Sequence, residues 1–320
     1  MNPAASAATC PAAHADTRPA ARALGAATLG LVLGALALGR RSAPPRPLPP
    51  RRPPATETDT DTEPQARRLY QAAAMLAASV LSDSALEHYR GGFENPGMFA
   101  PLASAAVVLA CAPGGSRRAA PYATACAVGA AGLGFHAYNV LRRPGGLSWA
   151  NLFYAAPLGA PAALTLAGLI GLAARPVAQG SATLAGLPAG RALCGLTAFG
   201  LAGTSAEAAL LHFRGAFQHP AMWVPVTVPP VTALCLAGAA LPCPARPRRT
   251  TRFLLDACTW LGAIGMAFHA RGIARQMGGW RNWSQNVLAG PPLPAPPGFS
   301  ALALAGRAAL ALRAAQEGSV

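Results

Sequence analysis

The sequence predicts an all-α integral membrane protein of two tandem, parallel four-helix units, eight transmembrane helices in all. Three observations predict it. Charge is scarce, with 12 % charged against 52 % hydrophobic residues over 320 positions, whereas soluble domains carry about a quarter charged residues. Apolar stretches long enough, or nearly so, to cross about 30 Å of hydrocarbon recur along the chain. One line is also written twice: EHYRGGFENPGMFAP (Glu87 to Pro101) returns as LHFRGAFQHPAMWVP (Leu211 to Pro225).

Residues 1–68 stand apart. Ala23 to Gly39 form one apolar run with Arg on both sides. At this length it reads as a first membrane helix or as a signal-like core. No convincing cleavage site follows, which favours an uncleaved helix. The next segment, RRSAPPRPLPPRRPPATETDTDTEP, is rich in Pro, Arg, Thr and acid. It has too little apolar surface to fold and is expected to be disordered.

The membrane part follows as two units, 69–175 and 191–315. Apolar segments lie near 69–88, 98–113, 122–141 and 152–174 in the first, and near 191–212, 221–241, 253–270 and 298–314 in the second. In hydrocarbon the backbone must satisfy its own hydrogen bonds, so each segment reads as a helix. The last is the weakest, being Ala-rich and containing Arg307.

All 26 basic residues are Arg, and the net charge is +15. They sit between apolar runs rather than in one stripe with interleaved aromatics, so nucleic acid is not the expected partner. A lipid bilayer is. Alternate loops hold 15 Arg against 7, which puts the richer set on the cytoplasmic side. The aromatics Tyr89, Phe93, Trp149, Phe213, Trp223 and Trp280 gather on the other side as an interfacial belt. A bacterial inner membrane is the expected location.

A second match extends the repeat. GFHAYNVLRRPGGLSWANLFYAAPLGAP (Gly134 to Pro161) resembles AFHARGIARQMGGWRNWSQNVLAGPPLPAP (Ala267 to Pro296). Four helices per unit is an even number, so both units enter the membrane in the same direction. The doubled line then joins first and second helices at the non-cytoplasmic surface. Gly91 and Gly215 are expected helix breakers, and Asn95-Pro96 and His219-Pro220 can cap and start the next helix.

The residues able to carry chemistry repeat as well. His88 with His136 and His212 with His269 sit near the outer ends of first and third helices. Two imidazoles facing across a bundle can ligate a haem b iron, with Arg90 and Arg214 placed for its propionates. Asp83 and Glu207 each lie five residues before a His inside an apolar run. A carboxylate there with a neutral His suits a proton relay, a hard-metal site or a bound cationic substrate. Asp256 has no repeat partner and is expected to be neutral or paired with an Arg. Seven scattered Cys show no metal spacing and read as small hydrophobes. No nucleotide-binding, zinc-protease or serine-hydrolase motif occurs in a credible context, so no enzyme class is indicated. Three readings remain open: a haem-binding redox subunit with a membrane or periplasmic redox partner, a proton-coupled small-solute transporter, and a non-catalytic membrane scaffold.

Overall fold

The computed structural model describes residues 57–112, 118–242 and 248–318. The apolar run 23–39 and most of the N-terminal region lie outside these. The described elements are α1 (Glu57–Arg90), a 3-10 turn (Pro96–Phe99), α2 (Ala100–Cys111), α3 (Ala120–Leu141), the short α4 (Trp149–Tyr154) and α5 (Gly159–Ala178). A two-residue antiparallel pair, β1 (Thr183–Leu184) with β2 (Leu187–Pro188), then precedes α6 (Ala189–Arg214). The chain continues through a 3-10 segment (Pro220–Val226), α7 (Val228–Ala240), α8 (Arg248–Ala274), a third 3-10 turn (Gly279–Asn282), α9 (Trp283–Ala289) and α10 (Pro297–Gly318).

Five segments are long and apolar enough to cross a membrane: α5, α6, the stretch Pro220–Ala240, α8 and α10. Pro96–Cys111 is apolar but shorter, and α1 and α3 fall outside the five while being 34 and 22 residues long. Large apolar side chains face outward, among them Phe199, Leu234, Phe253 and Trp260. A water-soluble fold does not leave such residues bare along several helices; lipid tails cover them without cost. The chain is accordingly a multi-pass membrane protein by the length and composition of its helices.

Four helices make the centre. α1 lies against α5 and α10, α5 also packs on α3, and α10 also packs on α6 and α8. The outer helices α2 and α7 lean on α1 and α6. α10, weakest by sequence, is thus among the most enclosed: Ala301, Leu302, Ala303, Ala305, Ala308 and Ala309 expose nothing. Low side-chain volume explains the reversal, because Ala lets neighbouring backbones close in from several sides. Arg307 leaves this core sideways and pairs with Asp256 of α8, as expected for Asp256.

Two further expectations change. α1 begins at Glu57, so its first residues fall within the segment, ending at Pro64, whose composition predicts disorder. Pro64 lies inside the helix, beyond its first turn, and offers no N–H to the carbonyl four residues back. The membrane segments near 152 and 221 do not start as plain α-helix. α4 breaks before α5, and α7 is entered through 3-10 turns; α9 likewise breaks before α10.

Candidate functional site

Chemistry-bearing residues gather at one end of the bundle, where α1, α3, α6 and α8 finish and α5 and α10 begin. The doubled line builds the same turn in both copies. Gly92 N–H bonds to Tyr89 O and Phe93 N–H to His88 O, at 2.9 and 3.0 Å. Ala216 N–H to Phe213 O and Phe217 N–H to His212 O repeat this at 2.8 and 3.1 Å. α1 and α6 end at Arg90 and Arg214, just before the expected breakers Gly91 and Gly215, and the left-handed positions follow at Gly92-Phe93 and Ala216-Phe217. A Cβ at the two breakers would press on a methionine end, 3.2 Å from Met98 Cε at Gly91 and 3.3 Å from Met222 Cε at Gly215. Asn95 and His219 do cap the following turns, accepting from Gly97 N–H at 2.9 Å and Ala221 N–H at 3.1 Å.

This turn delivers a carbonyl to each first-helix histidine. His88 Nδ1 donates to Met98 O at 2.6 Å, and His212 Nδ1 donates to Met222 O at 2.8 Å. The third-helix histidines do the same at the helix breaks. His136 Nδ1 bonds to Pro157 O, between α4 and α5, and His269 Nδ1 to Pro292 O at 2.7 Å, between α9 and α10. A carbonyl only accepts, so Nδ1 carries the proton in all four rings. In the neutral ring Nε2 is then a free lone pair. His88 lies within electrostatic reach of His136, and His269 of His212. Phe93 and Phe217 set their edges against the first-helix rings, both with centroids 6.2 Å apart.

The carboxylates occupy the seam between the two halves. Glu207 of α6 lies against Gly159, which opens α5: a Cβ there would stand 3.3 Å from Glu207 Oε1. Asp83 of α1 is within electrostatic reach of Glu207, Glu87 and Arg90. Among the described residues it accepts no hydrogen bond. One turn earlier on α1, Ser79 Oγ donates to Pro294 O at 2.5 Å, just before α10. Each half therefore touches the helix break of the other.

The two arginines of the doubled line differ. Arg90 pairs with Glu87 at 2.8 Å. Arg214, whose helix has Leu211 in place of Glu87, reaches Phe153 O at 2.8 Å instead. Each uses one of its five N–H donors there.

The outer loops hold a pair the sequence reading passed over. Asn151 Nδ2 donates to Pro144 O and Gly146 O, at 3.1 and 2.7 Å. Asn286 Nδ2 donates to Met277 O and Gly279 O, at 3.1 and 2.8 Å. The only advance signal was an Asn at matched places in the two aligned segments. Among the described residues no cluster of three His, Cys, Asp or Glu is placed to hold a metal ion.

The chain matches no family model, no curated protein and no solved structure. The functional reading therefore rests on the residues themselves.

Proposed function

We propose that this is a bacterial inner-membrane carrier, built as two tandem parallel four-helix units, that couples proton movement to a small solute through Asp83 and Glu207. The eight spans would be α1, Pro96–Cys111, α3, α5, α6, Pro220–Ala240, α8 and α10, with the Arg-rich loops in the cytoplasm. The matched turns, the four anchored imidazoles and the paired asparagines support descent of the two units from one duplicated ancestor.

One observation carries the transport reading: Asp83, from the first half of the chain, lies in the field of Glu207, from the second. Ionisable groups are expensive in hydrocarbon and mark ion or proton paths when they persist there. The seam also holds two broken helices, and breaks at membrane depth are kept where they are buried or line a path. A seam between two similar units is also the surface along which rocking opens a site to alternate sides.

The test uses the purified full chain in liposomes loaded with the pH dye pyranine. An inward proton gradient is imposed while amines, amino acids and sugars are added outside in turn. The expected result is solute-dependent acidification of the lumen, slowed at least tenfold in an Asp83→Asn, Glu207→Gln double variant. Unchanged acidification in that variant, or none above empty liposomes with any solute, overturns the reading.

A further inference from the structure

The four histidines are not used by the seam, and their arrangement is specific. All four have Nδ1 fixed on a backbone carbonyl. No partner is recorded for any of the four Nε2 atoms among the described residues. Ligating histidines are commonly oriented in this way: the second nitrogen donates to a carbonyl, which sets the tautomer and raises the basicity of the ligating one. The rings come in pairs, His88 with His136 and His212 with His269, each pair within electrostatic reach. In each unit the paired rings sit on helices set diagonally: α1 and α3 are both flanked by α2 and α5, and α6 and α8 by α7 and α10.

The number of donors selects the ligand. A structural zinc ion needs four protein ligands and a catalytic one three. No third His, Cys, Asp or Glu joins either pair among the described residues. Two imidazoles suffice only where the metal brings its other ligands with it. A porphyrin supplies four nitrogens in a plane and leaves two axial positions, which imidazole fills. Bundle interiors of this type are common cofactor sites. The porphyrin's apolar faces suit helices already surrounded by lipid. Its propionates would lie toward the outer surface, where Arg90 and Arg214 keep further N–H donors.

We infer that each unit binds one haem b, its iron held axially by Nε2 of His88 and His136 in the first unit and of His212 and His269 in the second. Such iron is six-coordinate, with no open position for an added ligand.

The experiment is an absorption and low-temperature EPR spectrum of the full chain, expressed with 5-aminolevulinate and purified in detergent as a single monodisperse peak. Pyridine haemochrome analysis gives the stoichiometry. The expected result is a sharp Soret band, low-spin iron and one haem per His pair. His136→Gln and His269→Gln are the chosen variants, because a Gln amide keeps a donor for the carbonyl but lacks imidazole ligation. Each is expected to halve the haem content, and the double variant to lose it. The Asp83→Asn, Glu207→Gln protein retains full haem content, which separates this inference from the seam reading. Monodisperse wild-type protein without a Soret band, including after titration with hemin, overturns the inference. Full haem content in the double Gln variant also overturns it. If the Gln variants fail to fold, the hemin titration of wild-type protein still decides.

Discussion

Glu207 of α6 lies against Gly159, the first residue of α5, so a carboxylate from the second half of the chain sits at the start of a helix of the first, in the field of its N–H. The contact is close: a Cβ at Gly159 would stand 2.9 Å from Glu207 Cγ. Helix starts leave N–H groups unpaired and favour negative charge, and in a bilayer water is not there to help. Gly159→Ala forces the carboxylate away and is expected to cost about 1–3 kcal/mol, as overpacking does elsewhere. Glu207→Gln keeps an acceptor oxygen at the same reach and is expected to cost less than Glu207→Leu. Thermal unfolding of the detergent-solubilised variants ranks the three. Equal melting temperatures for the Gln and Leu variants would show that the cap contributes nothing.

A second prediction concerns Asn151 and Asn286, which expose 8 % and 4 % of their surface. Each amide nitrogen closes a Gly-Gly loop by donating to two carbonyls. Asp at either position has the same shape but offers no donor when ionised. Asn151→Asp and Asn286→Asp are each expected to cost about 1–3 kcal/mol, the range for buried polar groups left unpaired. The outer loops should also become the first sites of proteolysis. Protease digestion of sealed right-side-out vesicles, read by mass spectrometry, checks this. Resistance equal to wild type counts against the role.

Much of the fold was legible because hydrocarbon leaves few choices. The apolar stretches became helices, α3, α6 and α10 close to their expected limits and α1, α5 and α7 with shifted starts, and Asn95 and His219 cap where their following prolines implied. What stayed hidden depends on shape rather than polarity. α10 looked weak because Ala scores poorly as a hydrophobe, yet small volume is what places Ala301 to Ala309 in the core. The doubled Gly91 and Gly215 marked where α1 and α6 end, but not that the left-handed backbone falls one residue later, on Gly92 and Ala216. The helix breaks before α5 and α10 were invisible in hydropathy. With them went the acceptors of His136 and His269, which are carbonyls of Pro157 and Pro292. A repeat shows which residues matter as a set, but not which backbone atom each one meets.

A third prediction follows from the ion pair between Arg307 of α10 and Asp256 of α8. Where lipid covers this half-exposed pair, removing one member leaves a charge without compensation, while removing both removes the problem. Asp256→Leu and Arg307→Leu singly are expected to lower the melting temperature more than the double variant does. A double-mutant cycle in detergent and again in nanodiscs measures the coupling. The coupling should grow in the nanodisc, where lipid replaces mobile detergent around the pair. Additive effects in both media would show that the two side chains act independently.

The fourth prediction tests the arrangement on which both functional readings rest. His88, His212, His136 and His269 can form two equivalent pairs on one leaflet only if both units cross the membrane in the same direction. Arg90 and Arg214 end α1 and α6, and in the eight-span reading four crossings (Pro96–Cys111, α3, α5 and α6) separate those ends along the chain. Fusions of a reporter active only outside the cytoplasm, placed after Gly92, Gly145, Ala216 and Gly278, are expected to be active. Fusions after Gly186, in the turn between β1 and β2, are expected to be inactive, and a cytoplasmic fluorescent reporter should give the reverse pattern. The charge rule orients the chain through its short Arg-bearing loops, so replacing Arg175 and Arg191 by Gln should weaken that pattern without moving the pairs apart. Opposite signals from the Gly92 and Ala216 fusions would place the two doubled turns on different sides. The seam could then bring Asp83 and Glu207 together only by an inverted packing, and the matched contacts of the two histidine pairs would have to arise by coincidence.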